Sequence, residues 1–412
     1  MPCSRAIMGI MDILFTSFVV SKDRFKKVYD EARVKPGQQV QKLNSQTCKG
    51  FAKNGDRIVA LSTAPVSRAT SSTWFVRGGK DEEEGVEYRY IPFMNFPIIK
   101  QIGVLVCGFF KALRWALDGK RSDKVILCDT LAPTLSTFSI AVSRLCGIKR
   151  VAFVTDIPYI MDVTTETYTG IKAIGKKLYG SVSARSTTKY HGYVLLTEAM
   201  NDLINPKGRP HMIMEGMVDS NHIGSDNRLE DKYNPPVLLY AGTLYRKYGV
   251  EALVYGFLKS KVNAKLWVFG WGEMEDELRE LNETQDRMTF FGTVPNQEIL
   301  DHEVKATLLV NPRPSTEDFT KYCFPSKNME YMMSGTAVLA TRIPSMPVNY
   351  HPNMFLLDDE SPEGIAQSLE EILAMPMEEI HKRGQAGKDF VEKNKTNTAQ
   401  TARIRAFIKT LA

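Results

Sequence analysis

Short apolar, β-branched runs alternate along this chain with longer stretches whose apolar positions recur at helical spacing. Residues 11–16, 57–62, 86–91, 125–128, 150–155 and 192–196 read as buried strands, with helices over 38–54, 133–145 and 171–190. Strands of this kind, separated by helices, predict βαβ units and a parallel sheet covered on both faces. The polar segment 222–236, which ends in Pro235-Pro236, interrupts the alternation and reads as a linker. A second series follows, with strands near 237–240, 265–269, 288–291, 307–311, 337–340 and 355–357. Its helices fall near 250–260, 274–282, 296–302, 326–334 and 362–374. The predicted fold is α/β, two doubly wound, Rossmann-like domains in tandem: an N-terminal one over 1–221 and a C-terminal one over 222–395. The closing helix, within 396–412, is expected to pack back on the first domain. Such sheets bind ligands outside the carboxyl ends of their strands, so the expected site is a cleft between the domains.

The length of 412 residues exceeds one ordinary core, which agrees with two domains. Hydrophobic residues at 43% and charged residues at 24% exclude extensive disorder. A net charge of +6 suits an anionic partner, either a nucleotide phosphate or an acidic membrane face, and no nucleic acid is expected. The six cysteines form no Cys-x-x-Cys pair and lie away from histidines at zinc spacing, so neither a disulfide framework nor a metal is expected. Cys107, Cys128 and Cys146 sit in apolar runs and read as small core residues in a reducing compartment. The apolar stretch 10–20 is broken by Asp12 and lacks a small-residue cleavage site, so no signal peptide is expected. The longest apolar run, 102–110, falls short of the roughly 20 residues that span a bilayer. A cytoplasmic location is the expectation.

Residues 99–121 place Lys100, Lys111, Arg114, Lys120 and Arg121 around Leu105, Phe109, Phe110, Leu113 and Trp115. At helical spacing this is a basic, aromatic, amphipathic segment. Two readings are open: a domain helix with one buried face, or a helix lying on an anionic membrane. Lys172, Lys176 and Lys177 form a second basic cluster.

Four segments can bear chemistry. In the first, Gly242 ends a strand and Arg246 with Lys247 supplies two cations before a helix, which suits a phosphate and equally a solvated turn. The second joins Asn311-Pro312-Arg313-Pro314 to Phe324-Pro325-Ser326-Lys327, with Glu330 one turn later and Gly335 at the helix end. A lysine in a first helical turn opposes the macrodipole, an oddity removed if Lys327 and the exposed amides face a diphosphate. Glu330 then accepts from the two hydroxyls of a ribose; otherwise it pairs with Lys327 at i, i+3. In the third, Asp156 ends a strand before Pro158 and either activates an acceptor hydroxyl or caps the next helix. In the fourth, Gly37 and Gln38 open a helix whose amides would meet a phosphate or acceptor, or merely turn the chain. No G-x-G-x-x-G follows a strand, and no P-loop, G-x-S-x-G or H-E-x-x-H is present. The usual dehydrogenase, NTPase, hydrolase and zinc-protease readings therefore fall away.

Taken together these segments resemble the family-4 glycosyltransferases, in particular the bacterial polysaccharide-assembly members, most closely over 237–338. YAGTLYRKYGV resembles the family's strand–Gly–loop–helix entry, LWVFGWGEMEDEL its strand–Gly-x-Gly–helix unit with Gly270, MTFFGTVPNQEIL its base-binding loop, and FPSKNMEYMMSGTAVLA its donor helix. The resemblance implies the GT-B fold, no metal, and a UDP- or GDP-sugar donor. Gly292, Thr293 and Val294 would line the base pocket, Arg246 or Lys247 with Lys327 would neutralise the diphosphate, Glu330 would bind the ribose, and Asp156 would stand on the acceptor side. Two departures are visible. Tyr322 stands where the family often has the first of two paired glutamates, and Thr243 where an arginine usually follows the glycine. Retention at the anomeric carbon is implied. The basic, amphipathic face over 99–121 and the cluster of Lys172, Lys176 and Lys177 motivate an acceptor that is lipid-linked or a polysaccharide precursor at the inner membrane face. A soluble acceptor and a non-catalytic nucleotide-sugar-binding protein are the alternatives.

Overall fold

The computed structural model describes residues 9–119, 123–157, 185–221 and 226–411, apart from the side chain of Pro97. It divides into two units, one of Met1–Gly216 with Asn397–Ala412 and one of Met217–Thr396.

In the first unit β1 (Asp12–Ser17) leads through α1 (Lys22–Glu31) and α2 (Gln38–Lys53) to β2 (Arg57–Ser62). Four short strands follow: β3 (Phe75–Val76), β4 (Gly79–Glu83), β5 (Val86–Tyr90) and β6 (Phe93–Met94). Then come α3 (Pro97–Leu117), β7 (Lys124–Asp129), α4 (Pro133–Cys146) and β8 (Lys149–Val154). Beyond them lie β9 (Gly192–Leu195), α5 (Ala199–Ile204) and β10 (His211–Ile213). The sheet runs β10-β9-β8-β7-β1-β2-β5-β4, parallel throughout except for β4. Every residue of β7 is buried, as a central parallel strand with helices on both faces requires. Sequence periodicity does not foresee β4, because GKDEE has no apolar alternation. It is a charged edge strand on β5, a composition that discourages further pairing. Two of its three carboxylates are engaged: Ser21 and Tyr90 donate hydroxyls to Asp81 at 2.7 and 2.8 Å, and Lys49 meets Glu83 at 2.9 Å, while Glu82 is exposed.

The second unit contains β11 (Val237–Thr243), α6 (Val250–Lys259), β12 (Lys265–Trp271), α7 (Glu275–Thr284), β13 (Met288–Gly292) and α8 (Asn296–Lys305). It continues with β14 (Leu308–Asn311), α9 (Ser326–Met333), β15 (Ala337–Thr341), β16 (Phe355–Leu357), α10 (Pro362–Leu373) and α11 (Met377–Asn394). The sheet order is β13-β12-β11-β14-β15-β16, all parallel. Alternate residues of β11 feed the two faces: Leu238 and Tyr240 pack toward α6, Leu239 and Ala241 toward α9. The final helix, α12 (Asn397–Thr410), packs on α2 of the first unit. Asn397 Nδ2 donates to Gln46 at 2.9 Å, Asn54 Nδ2 to Thr398 O at 2.9 Å, and Arg405 pairs with the buried Asp56 at 3.3 Å.

Three expectations need correction or fall outside this description. The described part of the supposed linker is laid against the second unit. Asn227 Nδ2 donates to Ser334 O at 2.8 Å, and the Lys232 ammonium donates to Val304 O and Ala306 O, both at 2.8 Å, at the end of α8. Its polarity reflects these backbone carbonyls, which a helix end leaves unsatisfied. Cys107 is half-buried rather than core, whereas Cys128 and Cys146 are buried. Lys120, Arg121, Lys172, Lys176 and Lys177 lie outside the described residues, as does the 171–190 helix except for 185–190, where 185–187 are helical. No helix among the described residues is long and apolar enough to cross a membrane.

Candidate functional site

At the carboxyl end of the second sheet, glycines let the strands close on one another. Gly242 pairs in register with Gly270, which sits at φ +133°; a Cβ there would fall 1.8 Å from Gly242 O. Gly249, at φ +78°, presses the turn 246–248 onto the loop after β14, where a Cβ would meet Pro312 O at 1.9 Å. Only glycine satisfies either position. Three strand ends, β11, β12 and β14, are thereby drawn together.

The cations on this edge differ in their engagement. Arg246 is exposed, and its guanidinium is held by Glu251 and Glu277. Lys247 is half-buried, with its ammonium 5.6 and 5.5 Å from the ring centroids of Tyr245 and Tyr248. Arg313 is half-buried and lies over the Tyr248 ring at 4.9 Å, and its buried Nε has no hydrogen-bond partner among the described residues. A buried guanidinium N–H left in that condition is a ready donor for an anion.

Helix α9 is anchored from below. Phe324 and Pro325 are buried ahead of it, the Ala241 N–H donates to Tyr331 Oη at 2.8 Å, and Asn311 Nδ2 donates to Asn328. These bonds fasten α9 to the ends of β11 and β14. No side chain caps its N-terminus, Ser326 is exposed, and Lys327 and Glu330 stand 3.4 Å apart on the surface, 34% and 29% exposed. Tyr322 is half-buried just before this helix, its N–H on Phe319 O at 3.0 Å. Gly292, at φ +69°, ends β13, two strands from β11, and Thr293 and Val294 follow it; Thr293 is exposed and Val294 packs on the core. Thr243 accepts the Tyr240 hydroxyl through its carbonyl at 2.9 Å.

The first sheet ends in carboxylates. Asp156, past the end of β8, is half-buried and accepts the Ile157 N–H at 2.7 Å. The segment that it is expected to cap falls at 158–184, outside the described residues. Sequence reasoning missed its neighbour Asp129, the last residue of β7, fully buried, with Asn44 Nδ2 at 2.8 Å and the Leu131 N–H at 3.0 Å donating to it. The signal was available, since Asp129 ends an apolar strand just as the Asp156 segment does. Burial raises both carboxyls above their usual range; Asp129 rises to about 6, the Asp156 charge adding to the effect against the two hydrogen bonds. Around them, Asn44 Oδ1, Thr130 Oγ1 and Thr155 Oγ1 are buried with no partner among the described residues. Gly37 and Gln38 are exposed at the start of α2; Gln41 instead makes the polar link, bridging the Val20 N–H and carbonyl at 3.1 and 2.6 Å. Among the described residues no group of His, Cys, Asp and Glu is placed to hold a metal.

Residues 235–375 match the family model described as Glycosyl transferases group 1. The whole chain is similar to the sucrose-phosphate synthase of Thermosynechococcus elongatus, with TM-score 0.62 and 14% identity over 97% of this chain and 99% of that one. It is similar to Anabaena HepE in complex with UDP-glucose, at TM-score 0.59 and 11% identity over 97% and 100%. The lipopolysaccharide outer core galactosyltransferase WaaB gives 0.62 and 12% over 97% and 99%. No curated protein sequence matches the chain. At such identities the structural likeness speaks for fold, and that fold is GT-B, built of two Rossmann-like units. With the family match over its second unit, the chain is a glycosyltransferase of GT-B fold.

Proposed function

We propose that the chain transfers a hexose-type sugar from a nucleotide-diphosphate sugar to an acceptor hydroxyl, its second unit holding the donor and its first unit the acceptor. The observation that carries this reading is the start of α9: uncapped amides, the Lys327 ammonium in the first turn and the Glu330 carboxylate one turn on. Amides and an ammonium are donors that suit a diphosphate. A carboxylate accepts from both hydroxyls of a ribose. A bound donor would replace the 3.4 Å Lys327–Glu330 pair with contacts to both groups. Arg313 and Lys247 stand by as further cations, while Arg246 braces the loop through Glu251 and Glu277. The similar structures solved with UDP and UDP-glucose favour a uridine donor, with Gly292, Thr293 and Val294 toward the base.

In this reading side chains and helix amides, rather than a metal, offset the charge that develops on the leaving diphosphate, a contribution of about 3 kcal/mol per well-placed donor. Asp156 orients the acceptor hydroxyl or takes its proton, and Asp129 tunes it from beneath. Retention at the anomeric carbon and kinship with the family-4 polysaccharide-assembly enzymes follow from the resemblance. The acceptor in this reading is lipid-linked or a polysaccharide precursor at the cytoplasmic membrane face. Sucrose-phosphate and trehalose-phosphate synthases among the similar structures make transfer to a soluble sugar the second reading.

A thermal-shift series with UDP-, GDP- and ADP-sugars tests the donor half. A donor at 100 times its Kd stabilises by about 2.7 kcal/mol, several degrees for a chain of this size. If neither a nucleotide sugar nor a nucleoside diphosphate raises Tm, the reading fails.

A further inference from the structure

Helix α3 is apolar on two faces. Val104, Ala112 and Trp115 are buried in the core that it shares with α4, and the approach is close: a Cβ on Gly108 would fall 2.3 Å from the Phe138 ring. On the other side Ile99, Ile102, Val106, Phe110 and Leu117 recur at steps of three, four and seven residues. At about 100° per residue they share one narrow face. All five are exposed, Phe110 at 63% and Ile102 at 58%.

The β3–β6 ribbon prolongs this face. Phe75 pairs in register with Met94, the Asn95 N–H donates to Trp74 O at 2.7 Å, and Trp74 packs edge-on against Phe96 at 5.4 Å. Trp74, Phe75 and Met94 are themselves exposed. Of the seventeen exposed large apolar side chains among the described residues, ten lie between 74 and 117, so they form a patch rather than a scatter. A surface helix of a globular protein normally buries one apolar stripe and turns a polar face outward. This one does not.

Charge says what covers it. Residues 66–80 and 88–117 contain seven Lys and Arg and no acid. Four of the five acids of the intervening hairpin are paired locally: Asp81 with Arg24 at 3.5 Å, Glu83 and Glu84 with Lys49 at 2.9 and 2.6 Å, and Glu87 with Arg89 at 2.8 Å, while Glu82 is exposed. Arg68 and Arg77 are exposed beside Trp74, and Arg114 beside Phe110 and Leu117. Lys100, in contrast, is turned inward to Val66 O at 2.6 Å. The partner must therefore offer apolar depth beneath negative charge.

We propose that the outer face of α3 and the β3–β6 ribbon docks on the interface of an anionic lipid bilayer, the helix lying in the membrane plane with Trp74, Phe75 and Phe110 at the level of the headgroups. A second copy of the chain would set like-charged rims against one another, which opposes association. Phe75 and Val76 also wall a cavity of about 980 Å³. Docking brings the first unit to the membrane surface, where an acceptor anchored in lipid presents its hydroxyl; this last step rests on the transferase reading.

The test is co-sedimentation of the full chain with phosphatidylcholine vesicles, with and without phosphatidylglycerol. The expected result is binding to the anionic vesicles, weakened by salt. Phe110→Asp and Ile102→Asp, each at an exposed position, should lower the partition coefficient at least about tenfold. Donor hydrolysis without vesicles and Tm should be unchanged in both. Absence of binding by the wild-type chain, equal partition of both variants, or indifference to phosphatidylglycerol overturns the proposal. So does a dimer in sedimentation velocity that Phe110→Asp dissociates without any vesicle binding. Vesicle binding with no hydrolysis of any donor leaves the docking standing and removes only the acceptor step.

Discussion

The two sheets share an architecture and end in opposite chemistry. In the second unit, Gly242, Gly249 and Gly270 draw strand ends together beneath Lys327, Arg313 and an uncapped helix start. In the first, the end of β7 and the residues just past β8 present Asp129 and Asp156, with buried oxygens of Asn44, Thr130 and Thr155 that have no partner among the described residues. The first arrangement attracts an anion through donors already in place. The second keeps acceptor oxygens in a low-dielectric setting, where a carboxyl holds its proton longer than it would in water. A parallel α/β sheet supplies only the position, at its carboxyl edge, and the residues that end the strands decide what is bound there.

The sharpest way to break this contrast is at Lys327. Lys327→Ala should lower kcat/KM about a hundredfold or more, on the order of 3 kcal/mol or above. Tm should hold, since the half-buried i, i+3 pair with Glu330 stabilises by only tenths of a kcal/mol. Arg246→Ala, removing a guanidinium already committed to Glu251 and Glu277, should change donor kinetics far less. Equal effects in steady-state kinetics would mean that the helix start is not special.

Next in size is the backbone packing that assembles the donor edge. Gly270→Ala places a Cβ 1.8 Å from Gly242 O and should cost about 3 kcal/mol, read as a lower urea midpoint at constant m. Gly37→Ala in the first unit, where no atom lies within 4 Å, serves as the neutral control. A stable Gly270→Ala chain would show that the close approach of β11 and β12 is not required.

The smallest expected effect belongs to the carboxylate end. Asp129 rises from its ordinary 3.8 to about 6. Below the ordinary value both the folded and unfolded chains are protonated. Between the two values the folded chain keeps a proton that the unfolded chain has released, so stability falls as pH rises through this window and stays lowered above it. The penalty is at most about 3 kcal/mol. Asp129→Asn should remove it, flattening the stability profile between about pH 4 and 6, because the Asn44 amide can turn its unpartnered oxygen toward the new donor. An unchanged slope in pH-dependent urea denaturation would mean that Asp129 does not titrate there.

The strands were legible because central parallel strands are buried on both faces and so form apolar runs: β2 and β16 coincide with the expected ranges, and the ends of β11 and β12 run only two or three residues further. The edge strand β4 was not legible, since it is defined by its register against β5 and not by its own composition. The segment 226–236 misled for a related reason. Its polar residues satisfy carbonyls and hydroxyls contributed by distant parts of the chain, among them Val304, Ala306 and Thr336.

Within the candidate site, local signals such as the Pro-Ser-Lys helix start and the glycines at strand ends were visible because they act through their own backbone. By itself the sequence determined the α/β alternation, the glycine-ended strands and the cation in the first turn of α9, since each depends on residues within one or two turns of chain. Tertiary structure alone decided that Arg246 is occupied while Arg313 is one partner short, that Asp129 stands beside Asp156, and that α3 leaves an apolar face bare. Those outcomes depend on which surfaces and charges meet across long separations in the chain, and proximity in space is what sets both burial and the energy of a charge.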